Sequence, residues 1–263
     1  MNAASDTSSA PVLPAGSLTG RRALVTGSSR GIGADTAGFL AAAGAKVAIN
    51  YRNKEARALK VVAGIVDAGG EAIAVGGDLT DPDSVSQVFA TIQETWGGLD
   101  LLVLNASGGM ESGMGEDYAM KLNRDSQVNV LETALPLLSA GSRVVFVTSH
   151  QAHFVREASD TMPEYQAVAL SKRAGEDALR AKLPELAERG IDFVVVSGDM
   201  IEGTITATLL ERARPGAIDA RREDAGRLYT VNEFAAEVAQ AAVDPIPADN
   251  TRYVGDISGF TAR

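Results

Sequence analysis

Between the short apolar run Ala23-Leu24-Val25 and a helical pattern over 34–43 stands Thr26-Gly27-Ser28-Ser29-Arg30-Gly31-Ile32-Gly33. A strand, a tight glycine turn and a helix start, in that order, make a cradle for phosphate. Unpaired amide N–H groups at the helix start point at an anion, and Gly27, Gly31 and Gly33 let the backbone approach a pyrophosphate closely. Ser29, Arg30 and Ile32 lie on the same turn and are expected to line the cradle. The spacing is Gly-x-x-x-Gly-x-Gly, one residue wider than the commonest dinucleotide fingerprint. Glycines by themselves mark ordinary turns, so the flanking strand and helix carry the reading.

Charge then selects among nucleotides. In a site for NAD, a carboxylate about 20 positions past the glycines binds the ribose hydroxyls. Here Asn50-Tyr51-Arg52-Asn53-Lys54 offers no carboxylate before Glu55. A 2′-phosphate would be repelled by a carboxylate and paired bidentately by a guanidinium. Arg52 is placed to do this, and Arg30 approaches from the glycine turn. The expected cofactor is NADP(H), with Asn50 beside it at the strand end.

The elements that position these residues alternate along the chain. Apolar runs at 23–25, 46–50, 71–77, 99–104, 144–147 and 193–196 read as buried strands, with a seventh at 253–255. Between them lie helical patterns at 34–43, 53–68, 84–96, 117–138 and 162–189. Strands that are apolar throughout, separated by helices, predict an α/β fold: one doubly wound parallel sheet with helices on both faces, a Rossmann fold. The order places Ser149 at the end of the fifth strand, on the sheet edge where such folds bind ligands. Residues 1–20, rich in Ala, Ser, Pro and Gly, read as a flexible arm ahead of a single domain over 21–263. Thr161-Met162-Pro163-Glu164 reads as a capping box starting the 162–189 helix.

Composition narrows the chemistry. The 263 residues hold no cysteine and two histidines, His150 and His153, so a thiolate or histidine-rich metal site is excluded and no metal is expected. A net charge of −10 argues against a nucleic-acid partner. No apolar run reaches the length of a membrane span, and no signal-peptide pattern opens the chain, so a cytoplasmic protein with no membrane partner is expected.

From 22 to 259 the chain resembles the short-chain dehydrogenase/reductase family, in particular its NADP-dependent 3-oxoacyl-carrier-protein-reductase-like members. The resemblance is carried by the glycine turn, by Asn105-Ala106-Ser107-Gly108 after the fourth strand, by Ser149, and by Lys172 within Ser171-Lys172-Arg173-Ala174. It implies hydride transfer between a nicotinamide and a small carbonyl or alcohol substrate. It further implies that Asp78 and Leu79 meet the adenine, that Asn105, Ala106 and Gly108 lie beside the adenosine ribose, and that Thr204 holds the carboxamide. Ser149 would hold the reacting oxygen, Lys172 the cofactor ribose, and Asn129, within Val128-Asn129-Val130, a water to the lysine. Residues near 200–228 would form a substrate flap, with Asp199 and Glu202 adding negative charge at its mouth. A homodimer or homotetramer is implied as well.

The pattern breaks at the proton donor. The family tyrosine stands four residues before the lysine, and here that position is Val168. Tyr165 is seven before Lys172, about 10.5 Å along a continuous helix and so two turns away. The tyrosine is therefore expected to be displaced. It remains the first candidate, with His150 and His153 as alternative donors because an imidazole titrates near neutrality. Two further readings stand beside the oxidoreductase: a weak or inactive nucleotide-binding protein, and a non-redox epimerase or dehydratase of the same fold.

Overall fold

The computed structural model describes residues 11–110, 117–157 and 162–261. In chain order it contains β1 (Arg22–Val25), α1 (Gly31–Ala42), β2 (Lys46–Tyr51), α2 (Glu55–Asp67), β3 (Glu71–Gly76), α3 (Pro82–Trp96) and β4 (Leu99–Leu104). Then come α4 (Tyr118–Met120), a π-helical segment Lys121–Asp125, α5 (Ser126–Ala134), β5 (Leu138–Ser149) and α6 (His150–His153). A 3₁₀ turn, Pro163–Tyr165, leads into α7 (Gln166–Arg180), α8 (Leu183–Glu188) and β6 (Asp192–Gly198). The chain closes with β7 (Ile201–Glu202), α9 (Ile205–Ala213), α10 (Ala217–Ala225), β8 (Tyr229–Thr230), α11 (Val231–Ala241) and β9 (Thr251–Val254).

Seven strands form one sheet in the order β3-β2-β1-β4-β5-β6-β9, and every pair is parallel. The direction of winding reverses between β1 and β4, which opens a crevice beyond their carboxyl ends. Alternate side chains feed two cores. Val25, Val47, Ile49 and Val103 join one layer with Leu40 and Phe234. Leu24, Ala48, Leu102 and Leu104 join the other with Phe89, Leu131 and Leu179. Both faces are covered, which is why the strands read as apolar throughout rather than alternating.

Several expectations change in detail. The helix expected over 117–138 ends at Ala134, and Leu138 already pairs with Leu99 in the sheet. The helix expected over 162–189 divides into α7 and α8. Pro184 sits in the first turn of α8, where its missing N–H cannot continue the ladder from α7. α11 has no counterpart among the expected elements, although Thr230 and Glu233 form a capping box at its start. Residues 11–20 pack rather than forming an arm. Leu13 and Leu18 are buried in the α1 and α11 layer, and the Leu18 N–H donates to the Ala43 carbonyl at 2.9 Å. Residues 1–10 and Thr161 of the expected capping box lie outside the described residues.

Candidate active site

The glycine turn is held by buried polar side chains. Thr26 Oγ1 accepts from the N–H groups of Asn105 and Ala106 at 2.9 and 3.0 Å and donates to the Val103 carbonyl at 3.2 Å, clipping β1 to the end of β4. Ser28 Oγ donates to the Val25 carbonyl at 2.6 Å and accepts from the Asn50 N–H at 3.0 Å. The Asn50 side chain accepts from Gly27 N–H at 3.1 Å and donates to the Val75 and Gly77 carbonyls, each at 3.3 Å. Its polar atoms are thus spent on holding the turn against β2 and β3. Gly27 and Gly31 have φ of 62° and 57°, the left-handed region that disfavours other residues. A Cβ on Gly33 would stand 2.6 Å from Asn105 Nδ2 and 2.9 Å from Ser28 Cα.

The result is a helix start open to an anion. Arg30, at the N-cap of α1, has extended backbone and no capping side-chain bond, and no carboxylate lies in the first turn. The amides there face a cleft of about 730 Å³ that runs from this turn to the end of β5. Ser29, Arg30, Ile32, Arg52, Asp78, Leu79, Asn105, Ala106 and Thr204 all line it. An uncapped helix start, two arginines and no carboxylate at the β2 terminus fit a dinucleotide with a 2′-phosphate. One Asp78 carboxylate oxygen is occupied by Thr80, through its N–H at 2.9 Å and its hydroxyl at 2.8 Å. Thr204 caps α9, accepting from Ala207 N–H at 3.1 Å and donating to the Ile201 carbonyl at 2.8 Å.

At the other end of the cleft, Ser149 and Tyr165 meet. Ser149 Oγ lies 3.1 Å from the Tyr165 hydroxyl, and also accepts from Ala152 N–H at 3.3 Å as the cap of α6. The tyrosine is not displaced from the site, contrary to the count along the sequence. That count assumed one α-helix from 162 onward, whereas Tyr165 ends a 3₁₀ turn and α7 begins after it. The turn aims the side chain inward, where it is only 6% exposed. Val168 does not replace it, but packs with Tyr165, Ala152 and Leu210 in an apolar wall. Burial pushes the phenol above its usual pKa, and the bond to Ser149 draws it part of the way back. Lys172, 8% exposed, lines the same cleft. Burial lowers its pKa to about 8 despite the attraction of Glu176.

The histidines face away from this cleft. His150 is fully buried with Nδ1 2.8 Å from Ser197 Oγ, and burial lowers its pKa to about 4, so it is neutral at pH 7. His153 bonds the buried Glu176 through Nδ1 at 3.0 Å and the Tyr253 hydroxyl through Nε2 at 3.2 Å. Neither lines the cleft that holds Ser149 and Tyr165. Both lie on α6, directly after Ser149, and neither is placed to act as the alternative proton donor.

Asn129 also lies off the cleft, on α5, with its Nδ2 buried and unbonded. Another asparagine, Asn123 in the π-helical segment, is tied to the site. It accepts from Gly108 N–H at 3.2 Å, donates to the Gly108 carbonyl at 2.8 Å, and donates to Ser171 Oγ at 2.9 Å. Gly108 thereby anchors the loop after β4 to the π-helical segment rather than lining the cleft. The sequence signal for Asn123 is Gly175, in the middle of α7: a Cβ there would fall 2.0 Å from the Asn123 carbonyl oxygen. A glycine inside a helix often marks such a close approach.

The segment read as a flap folds as α9 and α10, and the negative charge expected at its mouth is neutralised. Arg221 grips Asp199, with Nε 2.9 and 3.0 Å from the two oxygens and Nη2 at 2.8 Å, and Arg222 Nη2 meets Glu202 at 2.7 Å. Among the described residues no group of three His, Asp or Glu could hold a metal, and no helix is long and apolar enough to cross a membrane.

Comparison with known proteins agrees with this geometry. The family model described as short chain dehydrogenase matches residues 21–214. Versicolorin reductase 1 of Dothistroma septosporum is 30% identical over 243 residues, spanning 90% of this chain and 88% of its own. A short chain dehydrogenase of Burkholderia cenocepacia J2315, solved in complex with NADP, is 31% identical with a TM-score of 0.74, over 92% of this chain and 98% of its own. The angucycline C-6 ketoreductase LanV with bound NADP is 28% identical with a TM-score of 0.72, over 93% and 96%.

Proposed function

The chain belongs to the short chain dehydrogenase family and its cofactor is NADP(H); from that premise we propose that it reduces the carbonyl of a small molecule, with Tyr165 as proton donor. The observation that carries the reading is the 3.1 Å approach of Ser149 Oγ and the Tyr165 hydroxyl on the cleft that begins at the glycine turn. That pair also argues against a protein that merely binds nucleotide.

NADPH, when bound, supplies the hydride. The residues of the chain handle the oxygen and its proton. Ser149 donates a hydrogen bond to the carbonyl oxygen, and Tyr165 gives it the phenolic proton as negative charge develops there. Burial keeps that phenol protonated through neutral pH, the state from which a proton donor starts. The helix start at Gly31 would hold the pyrophosphate, Arg30 and Arg52 the 2′-phosphate, and Lys172 the nicotinamide ribose. Asn123, through Ser171 and Gly108, keeps the loop after β4 in register with the helix that bears Lys172. In this reading it takes the place first given to Asn129. The mouth beside Tyr165 is lined by Met200, Ile205 and Leu210, which suits a ketone on a largely apolar skeleton. The names of the versicolorin reductase and the angucycline C-6 ketoreductase point the same way.

The test is NADPH oxidation against a panel of such ketones by the parent, Tyr165→Phe and His150→Ala. Tyr165→Phe should lower kcat by roughly 10²–10⁴, the typical worth of a general acid, with NADPH affinity unchanged. His150→Ala should keep most of kcat in whatever fraction folds. A Tyr165→Phe enzyme within about threefold of the parent would refute the assignment.

A further inference from the structure

At the outer end of the cleft, two side chains from distant parts of the chain meet. Arg52, just past β2, donates from Nη1 to the hydroxyl of Tyr118, which opens α4. Its Cζ stands 5.9 Å from the centre of the Tyr118 ring. Both residues line the cleft together with the glycine turn, Asp78 and Leu79. An arginine at the surface gives up considerable rotamer freedom when it settles on a phosphate. A phenol that already holds one N–H, with its ring beside the guanidinium, imposes part of that order before the ligand arrives. The guanidinium has five N–H donors, so one bond to Tyr118 leaves four for phosphate oxygens.

We propose that Tyr118 is a positioning residue for the 2′-phosphate of NADP(H), holding the Arg52 guanidinium across the adenosine end of the cleft and so sharpening discrimination against NAD(H). The inference rests on the reading of Arg52 as the 2′-phosphate ligand. NAD(H) offers a neutral hydroxyl at that place, to which an ordered guanidinium contributes far less. The effect of Tyr118 therefore belongs to one cofactor and depends on one arginine.

The experiment is a double-mutant cycle read by titration with NADPH and with NADH. It uses the parent, Tyr118→Leu, Arg52→Ala and the double variant. Tyr118→Leu should weaken NADPH roughly threefold to tenfold, the worth of ordering one rotamer-rich side chain before the ligand arrives, and leave NADH within about twofold. In the Arg52→Ala background the same change at Tyr118 should add nothing for NADPH. Tyr118→Phe, which keeps the ring and fits any packing role, should lose the part of the effect owed to the hydroxyl. Equal weakening of both cofactors by Tyr118→Leu overturns the proposal, as does an effect that survives in Arg52→Ala. If Arg52→Ala leaves the NADPH-to-NADH ratio unchanged, the Arg52 reading fails and carries the proposal with it. If Arg52→Ala collapses that ratio while Tyr118→Leu leaves it intact, the proposal alone fails.

Discussion

Lys172 makes the cofactor-free protein less stable than it need be, and the size of that effect follows from its burial. Its pKa falls from 10.5 to about 8 on folding, chiefly because the ammonium loses water, while Glu176 acts in the opposite sense. At about 1.4 kcal/mol per pH unit, the shift is worth about 3 kcal/mol. The sign follows from which state binds the proton more tightly, and here it is the unfolded chain. The penalty is therefore complete below about pH 8, shrinks as pH rises from 8 towards 10.5, and is gone above that. Lys172→Met keeps the apolar stem and removes the charge. Without cofactor, the variant should be more stable than the parent by about 2–3 kcal/mol at pH 7, and by less than about 1 kcal/mol at pH 10. Urea denaturation of both proteins at the two pH values measures this, and groups that titrate in both cancel from the difference. The same variant should bind NADPH less tightly and turn over poorly, so stability and function move in opposite directions. A stability difference that does not change between pH 7 and 10, or a parent more stable than the variant at pH 7, would refute the reasoning.

Two further substitutions probe the frame of the site. Gly33→Ala would bring a Cβ against Asn105 Nδ2, Ser28 Cα and the Gly27 carbonyl oxygen, and two of those are backbone atoms that cannot rotate away. It should cost about 1–3 kcal/mol of stability and weaken NADPH binding, and a variant with unchanged thermal midpoint and affinity would show that the turn has slack. Glu176 is fully buried between His153 and Arg180; burial raises its pKa, but these two partners outweigh it and hold the carboxyl below its usual value. Glu176→Gln should lose about 3 kcal/mol at pH 7, and parent and variant should converge as pH falls below about 4.5 through the depressed pKa. Parallel stability curves from pH 7 to 3 would count against that network.

The legible features of this chain are those whose physical requirement is met by neighbours in sequence. A left-handed turn needs glycine at 27 and 31 whatever the rest of the protein does, and both have positive φ. Strands covered on both faces must be apolar throughout, so β4 is found at the predicted residues. The missing carboxylate after β2 speaks directly to the charge of the ligand. Ser149 and Lys172 were legible because a strand end and a regular helix fix where they stand. Other features depend on departures from regular geometry that no residue count contains. The 3₁₀ turn at Pro163–Tyr165 brings the phenol to Ser149, where an ideal helix would leave it about one turn short of the expected place and two turns from Lys172. The π-helical segment and Gly175 bring Asn123 rather than Asn129 against the loop after β4. Whether His150 is a neutral core residue or a proton donor, and whether Asp199 is a charge or half of a pair, depends on Ser197 and Arg221, partners 47 and 22 residues away. The sequence by itself determined the fold, the phosphate cradle and the sign of the charge that cradle accepts, because these follow from local backbone and charge. Only the tertiary structure decided which hydroxyl faces Ser149 and which titratable groups are buried, because distance and desolvation are properties of segments packed together.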